Sequence, residues 1–200
     1  MKLMIAGGSG FVGKELVAQL LKEGHSVTLL SRRARELNRQ NQSKTKEQLC
    51  LQYWDGQSQG EWSALVEGMD GVVNLSGEGI ANRRWSKEQK AKLVASRLQS
   101  TRALVEAVQK AKLKPHVFVN GSAVGYYGPV EEGDVTENTP KGWGFLPDLC
   151  ERWENEAKGL ESFDVRVVLA RFGMILEKEG GALAKFLPPF YFFAGGPLGS

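Results

Sequence analysis

The chain is poor in the residues that define several functional classes. Its 200 residues include two cysteines, Cys50 and Cys150, and two histidines, His25 and His116. The cysteines fit no metal-ligand or Cys-x-x-Cys spacing, so they read as free thiols in a reducing cytosol. Both histidines stand before apolar runs and read as surface or packing residues. No apolar run approaches the roughly 18 residues of a membrane span. The tail "FLPPFYFFAGGPLGS" is short and broken by prolines, and it reads as core or as an interface that leaves room for a homodimer. The N-terminus enters a strand-like run directly, so no signal peptide is expected and the localisation read is cytoplasmic. A strong charge of one sign is also missing: 26 Lys and Arg face 23 Asp and Glu, for a net charge of +3. The basic segment 32–46 has no interleaved aromatics for base stacking, so nucleic acid is not expected as a partner.

Short apolar runs alternating with amphipathic segments are present throughout. "KLMIA", "SVTLL", "LCLQYW", "GVVNLS", "HVFVNGS" and "DVRVVLARFG" read as six strands. Helices are expected from Phe11 to Lys22, over "EWSALVEGM", from about Trp85 to Lys112 with a capping box at Ser86 and Gln89, and over "DLCERWENEAKGLE". Residues 32–48 read as a loop or frayed helix, and 126–147 as loop. Continuous apolar strands joined by helices imply an α/β fold, a doubly wound parallel sheet of the Rossmann type in three layers. The length suits one dinucleotide-binding domain. In such sheets ligands sit at the carboxyl ends of the strands, which gathers the glycine turn, Ser31, Asp55, Leu75, Ser76, Gly77 and Ser122 around one crevice.

"AGGSGFVG" follows the first strand and opens the first helix. Gly7, Gly10 and Gly13 form one glycine pattern, and Gly8, Gly10 and Gly13 form G-x-G-x-x-G. Such a turn lets a pyrophosphate approach the backbone, where the free amides of Phe11, Val12 and Gly13 at a helix N-terminus attract it. A P-loop is excluded, because no Gly-Lys-Ser/Thr follows. After the second strand, an NAD site usually carries a carboxylate for the ribose hydroxyls; here Ser31-Arg32-Arg33 stands instead. Two guanidiniums suit a 2′-phosphate, so NADP(H) is the expected cofactor, against the alternative that both arginines only open a basic loop. Asp55 reads equally as an acceptor for the adenine amino group and as a turn residue.

"AGGSGFVG", "NLSGEGI", "SRLQSTRALVEA", "VNGSAVGYYG" and "CERWENEA" together resemble the extended short-chain dehydrogenase/reductases. Within them the chain is similar to the NADP-binding epimerase family related to nucleotide-sugar epimerases. The resemblance implies cofactor contacts at Leu75, Ser76, Gly77, Arg97 and Ile175. Helical spacing also puts Arg97 on the inward stripe of Leu93, Thr101, Leu104 and Val108, where a guanidinium needs a partner. Lys90 is a weaker candidate on a similar face. Catalysis in the superfamily uses Ser, Tyr and Lys, and Ser122 matches the serine. The Tyr-x-x-x-Lys pair has no counterpart, because its place holds Phe145 or Leu146 and then Leu149 or Cys150. Tyr126 and Tyr127 are the substitute acid/base candidates, with Glu78 and Asp148 as further titratable groups. The resemblance further implies a substrate lobe cut short after about residue 180. The expected function is an NADP(H)-dependent oxidoreductase or nucleotide-sugar epimerase-like enzyme acting on a small molecule, a nucleotide sugar or a carbonyl compound. The alternative is a non-catalytic NADP(H)-binding sensor.

Overall fold

The computed structural model describes residues 1–200 except 41–47, 82, 178–179, 182–186, 189, 192–195 and 197–200, and only the backbone of 38–40. Six parallel strands form one sheet: β1 (Lys2–Ala6), β2 (Ser26–Ser31), β3 (Leu49–Tyr53), β4 (Gly71–Asn74), β5 (Val117–Ala123) and β6 (Arg166–Phe172). Their order is β3-β2-β1-β4-β5-β6. This is the doubly wound arrangement that the alternating pattern predicts. The order reverses between β1 and β4, so the crevice opens above the carboxyl ends of those two strands.

Period-two alternation assigns each strand residue to a face. Met4 and Ala6 of β1 pack with Leu30, Val72 and Phe118 against α3 (Lys87–Lys110) and the end of α4 (Phe145–Lys158). Ile5, between them, joins Val27 and Leu29 against Val17 of α1 (Phe11–Lys22) on the other face. Phe118 and Leu104 are completely buried. Each such side chain contributes roughly 1.5–3 kcal/mol relative to exposure.

Several element boundaries differ from the expectation for identifiable reasons. The segment after Arg33 forms a short helix, α2 (Ala34–Gln40), and the rest of that basic stretch, 41–47, lies outside the described residues. "EWSALVEGM" makes only a 3₁₀ helix, Glu61–Val66, because Gly68 turns away at φ 72° and donates to the Leu113 carbonyl. The capping box is half made: Ser86 Oγ accepts from the Gln89 amide at 3.2 Å, but the Ser86 amide donates to Arg84 O. The Gln89 side-chain nitrogen is buried without a partner among the described residues. Helix α4 starts three residues early, at Phe145. Gly144 turns the chain into it at φ 106°, and Pro147 sits in the first turn, where no amide donor is needed. Lys141 bonds Asp148 and Glu151 at 2.8 Å each, which pins the preceding loop to this helix. Asp148 is therefore an exposed clamp residue at the helix start.

Candidate functional site

The glycine turn lies at the switch point. Gly7 adopts φ 79°, and a Cβ there would stand 2.5 Å from the Leu75 carbonyl. At Gly13 a Cβ would collide with the Gly7 carbonyl oxygen and with Gly8, so the helix rests directly on the turn. Gly10 differs. A Cβ there would meet only the Gly7 carbonyl oxygen, at 3.1 Å, and the residue is exposed on the cleft wall. A Cβ at Gly7 or Gly13 would overlap backbone outright, whereas at Gly10 it would make one tight contact with the Gly7 carbonyl oxygen. No side chain caps α1 and no acid stands in its first turn, so the amides of Phe11, Val12 and Gly13 are left without a side-chain cap at the positive end of the helix dipole.

A cleft of about 530 Å³ extends from this turn between the ends of β2, β3 and β4 and one face of α3. Gly7, Gly10, Ser31, Arg32, Arg33, Asp55, Leu75, Ser76 and Gly77 all line it, as does Glu78. The two arginines are not equivalent. Arg33 makes a two-point ion pair with Glu36, one turn along α2, at 2.7 Å for both bonds. Arg32 is exposed, and among the described residues nothing engages its guanidinium. Ser31 Oγ accepts from the Arg33 amide at 3.1 Å. Asp55 holds a turn: it accepts from the amides of Gln57 and Ser58 at 2.9 and 2.8 Å and from the Ser58 hydroxyl. Burial would raise the Asp55 carboxyl, but these hydrogen bonds outweigh it and hold it below its ordinary value. Of the two readings of Asp55, the turn has the direct contacts.

Arg97 projects from α3 between Gly77 and Trp153. Its Nη1 donates to the carbonyls of Glu78 and Leu93 at 3.1 Å each, and the guanidinium lies 5.1 Å from the Trp153 ring. Burial lowers its pKa, opposed by the nearby Cys150 and Glu78. Lys90 sits over the Phe145 ring at 5.1 Å, away from the cleft lining. Ile175 is exposed in the loop after β6. That loop continues into a short hairpin, β7 (Leu176–Glu177) and β8 (Gly180–Gly181), and a Cβ at Gly181 would lie 3.4 Å from Phe11.

The expected catalytic residues belong to a separate buried network that the sequence did not reveal. Ser122 is 3% exposed and lies outside the cleft lining; its hydroxyl donates to Glu154 at 2.6 Å. Glu154, 1% exposed, also receives two bonds from Arg171, Nε and Nη2, both at 2.8 Å. Arg171 Nη1 donates to the Tyr127 hydroxyl at 2.7 Å, and its guanidinium covers the Tyr126 ring at 3.7 Å. Burial would raise the Glu154 carboxyl, yet the bonds from Arg171 and Ser122 leave it lowered. Glu154 is thus held in its charged form and ties Ser122, Arg171 and, through Arg171, Tyr127 into one hydrogen-bonded network. The inward column of α4 reads Leu146, Cys150, Glu154 at four-residue spacing. Burial pushes the Cys150 thiol up, and the charge of Glu154 adds to it.

Comparison with known proteins supplies the family. The model of the NAD dependent epimerase/dehydratase family matches residues 3–143. The chain belongs to this family. An Arabidopsis thaliana relative, the chloroplastic homolog of epimerase family protein SDR39U1, is 38% identical over 205 residues, covering 100% of this chain and 56% of that protein. An epimerase family protein of Staphylococcus haemolyticus is 38% identical over 200 residues, covering 100% of this chain and 63% of its own length. The crystal structure of human SDR39U1 with NADPH superposes with a TM-score of 0.81 at 33% identity, over 100% of this chain and 63% of that one. The UDP-glucuronic acid 4-epimerase of Bacillus cereus, at 19% identity and a TM-score of 0.74 over 96% of this chain and 63% of that one, shares the fold. This epimerase-family chain thus spans less than two thirds of each of these relatives. No helix among its described residues is long and apolar enough to cross a membrane.

Proposed function

We propose that this epimerase-family chain binds NADP(H) in the cleft above β1, β2 and β4, with NADPH preferred over NADH. Arg32 carries the assignment: it is the unengaged cation at the end of β2, where a carboxylate would select NAD. In this reading the Phe11, Val12 and Gly13 amides and the bare backbone of Gly10 receive the pyrophosphate. Arg32, with Ser31 beside it, takes the 2′-phosphate, while Arg33 stays with Glu36. Leu75, Ser76 and Gly77 flank the dinucleotide, Arg97 supplies donors, and Ile175 lies toward the nicotinamide. The NADPH in the human relative's structure supports the same cofactor.

The bound cofactor would supply hydride transfer to or from a small carbonyl or alcohol, with a nucleotide sugar as the alternative substrate. Tyr126 and Tyr127, packed against Arg171, are poorly placed to serve as acid or base. One specific observation favours a second reading, a non-catalytic NADP(H) sensor: Ser122 and Tyr127 both have their hydroxyls engaged by the Glu154–Arg171 pair. NADPH oxidation against a panel of aldehydes and ketones, with product analysis of nucleotide sugars because epimerisation returns the hydride and leaves the cofactor level unchanged, separates the two. Turnover of any member supports the enzyme; intact NADPH binding with no turnover supports the sensor. The absence of NADPH binding would overturn both. The localisation expected from the thiols is a reducing compartment, which the cytoplasm and, given the plant relative, the chloroplast both provide.

A further inference from the structure

We propose that Lys92 on α3 is a second phosphate-binding cation of the cleft that Arg32 also lines; this rests on the NADP(H) reading above. The cleft face of α3 is formed by Lys92, Ala95, Ser96 and Gln99. This is the i, i+3, i+4, i+7 stripe of one helix face. Its two middle residues are small, so a ligand can lie close to the helix. Lys92 stands at one end as the stripe's only charge. It is exposed, and no hydrogen bond or ion pair engages it among the described residues. Glu88, one turn earlier, feels its charge only at a distance. The helix is fixed against the cleft one turn below: Ser96 Oγ accepts from the Glu78 amide at 3.0 Å, and Arg97 donates to the Glu78 carbonyl. Lys92 therefore projects from a rigid element.

The charges of the cleft make the ligand chemistry specific. Of the lining's acids, Asp55 is bound into its turn and Glu78 acts on the buried Arg97; of its cations, Arg33 is neutralised by Glu36, so Arg32 and Lys92 are the two uncommitted ones. The glycine turn itself offers amides but no cationic side chain. A dinucleotide in the cleft would carry its phosphates past one guanidinium, that of Arg32, and one ammonium, that of Lys92. The phosphate that Lys92 meets is either the 2′-phosphate or the pyrophosphate.

Fluorescence titration of Lys92→Ala with NADPH and NADH tests this, with Lys92→Arg retaining the charge. Lys92→Ala should bind about fivefold more weakly at low salt, and Lys92→Arg near the wild-type level. Weakening confined to NADPH assigns the 2′-phosphate, and equal weakening for both cofactors assigns the pyrophosphate. Unchanged affinity for both overturns the proposal while leaving the NADP(H) reading intact. Failure of the wild type to bind NADPH overturns that reading and this proposal with it. The site is exposed, so an unchanged melting temperature in Lys92→Ala shows that the loss is local.

Discussion

Replacing Glu154 by Ala should destabilise the protein strongly although no surface contact is lost. The carboxylate accepts one bond from Ser122 and two from Arg171, and it is 1% exposed. Its removal leaves the Arg171 guanidinium, whose side chain is 16% exposed, without its counter-charge. Breaking a buried ion pair in this way costs about 3–5 kcal/mol. The partial exposure of Arg171 places the effect near the lower end, about 3 kcal/mol. For a chain of this size each kcal/mol moves Tm by about 2–4 °C, so a drop of about 6–12 °C is expected in a thermal melt. Glu154→Gln keeps the shape and part of the hydrogen bonding and should lose roughly half as much. The double variant Glu154→Met/Arg171→Leu removes both charges and should recover much of the loss, which separates a broken pair from a simple cavity. A Tm within about 1 °C of wild type for Glu154→Ala, under the same 2–4 °C conversion, would refute the reasoning.

Three further outcomes follow from the same geometry. The Glu154 carboxyl is held below its ordinary value in the fold, so its stabilisation is fully present above the unfolded pKa of about 4.3 and is lost as pH falls through the folded value. The Tm gap between wild type and Glu154→Gln should therefore narrow below about pH 4; a gap that widens in acid would contradict the sign. Gly13→Ala should unfold more easily than wild type, because its Cβ would collide with Gly7 and Gly8, whereas Gly10→Ala, with one contact at 3.1 Å, should lose less stability than Gly13→Ala and also lose NADPH affinity; equal melting of the two variants would refute the distinction. Tyr127→Phe removes the oxygen that accepts from Arg171 and should cost about 1 kcal/mol, while Tyr126→Phe, whose ring packs on Arg171, should be nearly silent in urea unfolding.

The strands and the glycine turn were legible because both depend on local pattern: continuous apolar runs, and glycines at fixed offsets between a strand and a helix. Which arginine stands free was not legible, because it depends on Glu36 being one helical turn from Arg33 in a segment that read as loop or frayed helix. The Glu154–Arg171 pair is not legible in the sequence because its partners come from different elements. Taken singly, Glu154 sits in the charged run "CERWENEA", and Arg171 closes an apolar strand. A signal was available: Glu154 shares the inward stripe of Leu149, Cys150, Trp153 and Ala157, and Arg171 is the one charge within β6 after its exposed first residue, Arg166. Two opposite charges on faces that must be buried imply each other. The lack of a Tyr-x-x-x-Lys pair, by contrast, is legible directly, since neither Phe145 or Leu146 nor Leu149 or Cys150 substitutes for tyrosine and lysine.

The most direct test of the central claim is the cofactor preference of the wild type and of Arg32→Asp, measured by NADPH and NADH fluorescence titration. Charge-assisted bonds of Arg32 to a 2′-phosphate are worth about 1.5–3 kcal/mol, so the wild type should prefer NADPH by about 10- to 150-fold. Arg32→Asp should reverse that preference, because the new carboxylate repels the phosphate and accepts from ribose hydroxyls. Equal affinities in the wild type, or a preference unchanged by Arg32→Asp, would contradict the account.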